Sequence, residues 1–442
     1  MFIIRALRNE KKFELLNYDH YPWTISANMT QTIRLNGFDA ETHTVLTNDG
    51  YRLQLYRIVN PFTLSNITGY PILFFNGLTE SAYTFITITI GWLDRNTGIY
   101  YEFDDKQLKN PMKIDCQSIL DSNKKPNQYA HSIAFMLSAC GYDVWLTNVR
   151  DNIYEASNLH YTIDDPQYWN ITFDHYSIDA MANIDYVLRK QQQQRQQKQY
   201  QYETIGALCY SYGCTNLFQL MIVEEKYNQL IRPLFLLAPT IYIQSTRSLI
   251  LILLGSLGQL VREIPQSTTN VVPILPYLAN QLEKNQFLRI IYFFSLILLS
   301  GYNEQEFIPE NQYRMLAYFP QTISLQMLTH IEQRFKSNNH LYRFDYGPKE
   351  NLNVYGQIKP PLYNISKITN PYMILWYGSS DFISDTNDVE QLQQDLSVKL
   401  FQTFYTDYAH LDFKNGRTVN RTVVQPIIEI LFNLGFHYRK FD

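Results

Sequence analysis

The sequence predicts an α/β fold: a mostly parallel sheet with helices on both faces, interrupted by a helical insertion. Three observations lead there. Short apolar runs alternate with stretches of helical spacing between residues 43 and 434. The early runs end in turn-forming residues, as buried strands do. One long stretch, 242–345, drops this rhythm and carries apolar and helical runs instead.

The elements follow in order. Residues 43–58 read as a hairpin, with alternating Thr44, Leu46, Tyr51, Leu53, Leu55 and Arg57 around Asn48-Asp49-Gly50. Pro71-Ile72-Leu73-Phe74-Phe75 is a buried strand closed by Asn76-Gly77, and Tyr142 to Leu146 is another, closed by Thr147-Asn148. Ile178, Met181, Ile184, Val187 and Leu188 share one side of a helix over 175–190. Thr204 to Tyr210 is a strand and Cys214 to Lys226 a helix. Leu234 to Leu237, Tyr372 to Trp376 and Leu400 to Tyr405 are further strands, and Val389 to Leu396 and Val423 to Leu434 further helices. The glutamine-rich stretch 191–201 cannot bury surface and reads as a surface loop or helix extension. Residues 98–130 read as a polar loop insertion. The expected organisation is an N-terminal extension, 1–28, a core of 29–241 and 346–442, and a helical cap, 242–345.

Composition excludes some classes. The chain of 442 residues has a net charge of −4 and is 45% hydrophobic. It lacks the basic stripe of a nucleic-acid binder, so no nucleic-acid partner is expected. No run reaches the roughly 18 apolar residues of a spanning helix, so no transmembrane span is expected. The first residues do not form a signal-peptide pattern: Phe2-Ile3-Ile4 is too short, and Arg5, Arg8, Lys11 and Lys12 follow it. The four cysteines, Cys116, Cys140, Cys209 and Cys214, contain no CxxC pair. They leave open one bridge of unspecified pairing, or buried free thiols. Sequons occur at Asn28, Asn66, Asn170, Asn364 and Asn420.

The chemistry centres on Cys209-Tyr210-Ser211-Tyr212-Gly213, between an expected strand and an expected helix. A nucleophile elbow needs small residues two before and two after its serine, because the turn is sharp. Gly213 satisfies this, and Cys209 is small enough. The pentapeptide alone is equally compatible with an ordinary turn serine, and Leu254-Gly255-Ser256-Leu257-Gly258 repeats its Ser-x-Gly. The order of the other parts favours Ser211. A serine hydroxyl needs a base, an orienting carboxylate and oxyanion donors, and α/β-hydrolases carry Ser, acid and His in that order. Asp381 follows a strand through Gly378-Ser379-Ser380, with Asp385 and Asp388 as competitors. Only His410 and His437 lie beyond it. The oxyanion donors expected are the backbone N–H groups of Tyr212 and Leu78.

Beyond these residues the chain resembles the acid lipase family, the gastric and lysosomal acid lipases of the α/β-hydrolase fold, from about Met29 to about Phe436. Thr47-Asn48-Asp49-Gly50-Tyr51 resembles "TEDGY", and residues 141–150 resemble "GYDVWLGNSRG". Phe173-Asp174, Asp179 and Ile184-Asp185 resemble the "FDEMAKYDLPATID" helix, and Leu237-Ala238-Pro239 follows the elbow as in the family. Phe344-Asp345-Tyr346-Gly347 resembles "YDWG", and residues 360–364 resemble "PPLYN". Gly378-Ser379-Ser380-Asp381 resembles "GGxD", favouring Asp381 as the acid, and His410-Leu411-Asp412-Phe413 matches "HLDF".

The resemblance implies a capped apolar cleft and a serine hydrolase cleaving esters of neutral lipids, triacylglycerol or cholesteryl ester, through an acyl-enzyme. It implies no metal or organic cofactor, and a secreted or lysosome-like, often acidic, setting. The cap would present its apolar runs, 249–254 and 290–299, to a lipid droplet or micelle. The chain also departs from the family. The elbow is usually Gly-His-Ser-Gln-Gly, whereas Cys209, Tyr210 and Tyr212 stand here. Asn76 replaces a histidine, Asp151 replaces a glycine, and the cap has no cysteine. These changes raise a second reading, a catalytically weakened or inactive lipid-binding relative.

Overall fold

In the computed structural model the turn at Gly50, whose φ is +93° and so suits glycine, joins β1 (Asp39–Leu46) to β2 (Tyr51–Val59). The structure describes residues 28–62, 69–86, 90–103, 112–114, 132–152, 155–196, 202–262, 271–272, 285–308, 311–312, 315 and 318–436. The expected extension at 1–28, Cys116, Asn66 and His437 thus lie outside the described residues, Asn28 apart. β1 and β2 pair antiparallel, from Asp39 opposite Val59 to Leu46 opposite Arg52. The start of β2 also pairs with β8 (Ala156–Asn158). On its other side β2 runs antiparallel to β7 (Asp143–Leu146). From β7 the sheet is parallel through β3 (Pro71–Phe75), β9 (Ile205–Tyr210), β10 (Ile231–Leu237), β13 (Met373–Gly378) and β14 (Gln402–Thr406).

The period-two alternation of strands sorts side chains to two cores. Ile72, Phe74, Leu208, Tyr210, Ile374 and Trp376 face one layer, with the helices at Ile133–Ala139 and Gln425–Asn433. Leu73, Phe75, Ala207, Cys209, Met373 and Leu375 face the other. There α1 (Phe173–Gln196), α2 (Tyr212–Val223) and the helix Thr386–Asp395 cover them through Ile184, Val187, Leu217, Met221, Val389 and Leu392. Burying each such aliphatic side chain contributes roughly 1.5–3 kcal/mol.

The strand order reverses beside β3: the chain goes from β3 to β7 on one side, then to β9 on the other. Loops leaving the carboxyl ends of strands at such a reversal form a natural ligand crevice. The segments Asn76 to Glu80, Ser211, Asp381 and His410 follow β3, β9, β13 and β14 respectively.

Between β10 and β13 the chain leaves the sheet. It forms α3 (Leu249–Arg262), α4 (Gln286–Ser300), α5 (Leu325–Phe335) and a ladder of β11 (Val271–Val272) with β12 (Ile323–Ser324). Here the second Ser-x-Gly finds its use. Ser256 is exposed within α3 and its hydroxyl bonds back to Ile252 O, so it is no elbow. A Cβ on Gly258 would lie 2.7 Å from Leu328 O, and one on Gly255 2.4 Å from a Phe335 ring carbon. Those glycines let α3 and α5 touch.

One expectation changes and one is narrowed to the helix extension. The stretch 98–130 is not simply a loop. β5 (Tyr100–Phe103) and β6 (Met112–Ile114) join β4 (Ile90–Leu93) in an antiparallel sheet, docked where Phe38 meets Tyr100 and stacks on Phe135 at 5.2 Å. The glutamine-rich stretch continues α1 to Gln196, and 197–201 lie outside the described residues. No helix among the described residues is long and apolar enough to cross a membrane.

Candidate active site

Ser211 occupies the turn between β9 and α2 with φ 53° and ψ −121°, a left-handed region costly for a non-glycine residue. Its N–H is held by Leu237 O at 2.9 Å. The turn is tight because α2 begins against the end of β3: a Cβ on Gly213 would lie 2.5 Å from Phe75 O and 2.7 Å from Asn76 O. Cys209 is bonded to Cys214, with Cα atoms 4.9 Å apart, so a disulfide spans the elbow. Cys140 is disulfide-bonded as well, and among the described residues there is no free cysteine. The expectation of buried free thiols, or of a single bridge, is therefore corrected.

The structure brings Ser211, His410 and Asp381 together. Ser211 Oγ is 2.8 Å from His410 Nε2, and His410 Nδ1 is 2.7 Å from Asp381 Oδ2. Facing a carboxylate, Nδ1 is assigned the proton, which leaves Nε2 to accept from the serine hydroxyl. Asp381 is fully buried, and its Oδ1 accepts the N–H groups of Ile383 and Ser384, each at 2.8 Å. His410 is held by its own backbone: its N–H donates to Ser300 O, and its O accepts the Tyr210 hydroxyl, both at 3.0 Å. The two rival acids are engaged elsewhere. Asp385 caps its helix and pairs with Arg247, while Asp388 accepts the Ser245 N–H.

The loop after β3 touches the elbow: a Cβ on Gly77 would lie 3.2 Å from Ser211 Cβ. Neither the Leu78 nor the Tyr212 N–H is used by another described residue, and both residues line the same cavity as Ser211. Tyr212 opens α2, where N–H groups have no intrahelical partner.

Sequence reasoning missed a buried ion pair beneath this loop. Lys414 binds Glu80, and its ammonium stands 3.9 Å from the Tyr210 ring centroid. The other Glu80 oxygen accepts the Gly77 N–H at 3.0 Å, and Glu80 O accepts Asn76 Nδ2 at 2.7 Å. Burial pulls the Lys414 ammonium below its ordinary pKa, against the attraction of Glu80. A lysine directly after the His410-Leu411-Asp412-Phe413 run was the only available signal. The cavity holds about 310 Å³, with walls including Leu251, Leu254, Leu296, Leu299, Ile323 and Ile331.

The chain is similar to known lipases over most of its length. A family model described as a partial alpha/beta-hydrolase lipase region matches residues 29–89. Gastric triacylglycerol lipase of Bos taurus is 27% identical over 415 residues, covering 92% of this chain and 91% of that one. The Homo sapiens protein of the same name is also 27% identical, over 423 residues with the same coverage. The chain is thus similar to these lipases along nearly its whole length. A putative lysosomal acid lipase/cholesteryl ester hydrolase of Crotalus adamanteus is 26% identical, covering 88% of this chain and 96% of its own.

Proposed function

We propose that the chain is a lipase, a serine hydrolase of lipid esters, with Ser211 as nucleophile, His410 as general base and Asp381 as its orienting carboxylate. The observation that carries the reading is the unbroken Ser211–His410–Asp381 hydrogen-bond relay opening into an apolar cavity. His410 Nε2 takes the hydroxyl proton as Oγ attacks the ester carbonyl. The Leu78 and Tyr212 N–H groups receive the oxyanion, and Asp381 stabilises the imidazolium. Collapse expels the alcohol, which takes the proton from His410, and leaves an acyl-Ser211. Water, deprotonated by His410, then releases the fatty acid and restores the serine.

Substrates of triacylglycerol or cholesteryl ester type follow from the names of the relatives, and the apolar walls suit their chains. Residues 242–345 serve as the cap. Leu249, Ile252 and Leu253 on α3, and Phe287 and Ile291 on α4, are exposed large apolar side chains suited to meeting a lipid droplet or micelle. A secreted or lysosome-like setting fits the disulfides. Of the described sequons, Asn28, Asn170 and Asn364 are exposed and suit glycosylation, whereas Asn420 is buried. The inactive reading is disfavoured because the altered elbow keeps its strained serine and its hydrogen-bonded histidine.

The test is turnover of a triacylglycerol, a cholesteryl ester and a short soluble ester by wild type and Ser211→Ala across pH. Turnover of the lipid esters that Ser211→Ala abolishes is expected. Absence of turnover by folded wild type on all three would sink the proposal.

A further inference from the structure

The reaction above leaves one buried charge in the cavity unused. Arg334, on α5, lines the same cavity as Ser211 and is only 6% exposed. Both of its hydrogen bonds come from Nη2, to Thr240 O at 2.5 Å and Ile241 O at 2.9 Å. Its guanidinium carbon stands 5.3 Å from the Tyr212 ring centroid and 5.9 Å from that of Phe173. These contacts fix its position. Thr240 links it to the elbow, because the Thr240 N–H donates to Ser211 O at 3.4 Å. Nε and Nη1 bond to no described residue, and neither is sealed inside the packing.

The charge has no close counter-ion, and Asp388 attracts it only at longer range. No carboxylate of the described residues lies within 4.0 Å of it. The other charged side chain of the described lining, Glu80, is matched by Lys414, and His410 faces Asp381. A guanidinium stays protonated under all ordinary conditions, and carbonyl dipoles and ring faces compensate its burial only in part. Three N–H donors remain on Nε and Nη1. Their planar arrangement suits the oxygens of a carboxylate or phosphate. A plain hydrocarbon chain against Arg334 would leave those donors unmet.

We propose that Arg334 forms an anion-recognising subsite, so that the preferred substrates are lipid esters with a second, anionic oxygen group several bonds from the scissile carbonyl. This rests on Ser211 being the nucleophile and narrows the substrate class of that same site. Two sources supply the chemistry: a carboxylate at the far end of the acyl chain, or a phosphate on the alcohol side.

Two matched pairs of esters, used below their micelle concentrations, test it. The first pair is the umbelliferyl monoester of a long dicarboxylic acid against the umbelliferyl ester of the fatty acid of equal chain length. The second is a lysophosphatidate against the monoacylglycerol with the same acyl chain. Wild type should favour the anionic member of at least one pair by about tenfold in kcat/KM. The pair that responds identifies the source. Arg334→Met should bring that ratio close to one through KM, and Arg334→Lys, which keeps the charge but not the planar fork, should retain part of it. A wild-type preference for the neutral member of both pairs overturns the inference without need of any variant. So does an equal loss on both members in folded Arg334→Lys or Arg334→Met, which would make Arg334 a structural tie to Thr240 and Ile241. If wild type cleaves neutral esters and ignores the anion, the subsite alone fails. If it cleaves nothing, the hydrolase reading fails.

Discussion

Two segments of the chain carry Ser-x-Gly beside apolar residues, and they are used in opposite ways. At 209–213 the glycine lets a helix start against the end of β3, and the serine is forced to a positive φ beside a histidine. At 254–258 the glycines let α3 and α5 touch, and the serine satisfies its hydroxyl on its own helix. A pentapeptide thus specifies closeness of approach. What approaches, strand or helix, decides whether the serine is strained beside a histidine or simply lies exposed along a helix.

The largest contrast is in the serines themselves. Ser211→Ala should cost activity on the order of 10⁴-fold or more. Ser256→Ala should leave kcat within about twofold and stability within about 0.5 kcal/mol. Equal losses in steady-state assays of the two purified variants would break the comparison. The glycines come next. Gly213→Ala pushes a methyl into the Phe75 and Asn76 carbonyls and should lower kcat about 100-fold on every ester, because the elbow shifts. Gly258→Ala should cost roughly 1–3 kcal/mol by parting α3 from α5, with a greater loss on emulsified lipid than on a soluble ester.

Beneath the elbow, Lys414→Met leaves Glu80 buried without its cation, a loss of about 3–5 kcal/mol. The double variant Glu80→Gln/Lys414→Met should recover much of that in a denaturant titration. If its kcat stays low, the pair positions the Gly77 loop; full recovery of kcat would reduce the pair to a structural role. Replacing Cys209 and Cys214 by alanine should cost about 2 kcal/mol for so short a loop and lower kcat with it. An unchanged Tm and kcat would show that the bridge adds nothing to the elbow.

The smallest effect is one of pH. Burial raises the Asp151 carboxyl from 3.8 to about 7, against the hydrogen bond from Tyr176. Folding therefore favours the protonated acid. The associated penalty is absent below about pH 4, grows as pH rises through the folded value, and is complete above it. Asp151→Asn should gain stability over wild type at pH above 7 and lose that advantage below pH 4. A difference independent of pH in denaturant titrations would contradict this.

The legible parts were those governed by local periodicity. Alternating Ile72, Leu73, Phe74 and Phe75 declared a strand buried on both faces, and it is one. The helical stretch between β10 and β13 was visible through the missing strand rhythm. What stayed hidden depends on pairing across long separations. Glu80 and Lys414 lie 334 positions apart, so neither reads as half of an ion pair. Arg334 reads as an ordinary solvated helix residue until α5 turns it toward Thr240. The Cys209–Cys214 bridge depends on the elbow bending tightly enough to bring the two Cα atoms to 4.9 Å. The strands at 100–103 and 112–114 are too short for their alternation to stand out.

One measurement tests the central claim most directly: a fluorophosphonate is allowed to react with the folded protein, and the modified peptide is identified by mass. The expected result is a single adduct on Ser211, lost in Ser211→Ala and unaffected in Ser256→Ala. An adduct on another serine, or none on a protein whose fold is intact, would contradict the claim that Ser211 is the nucleophile.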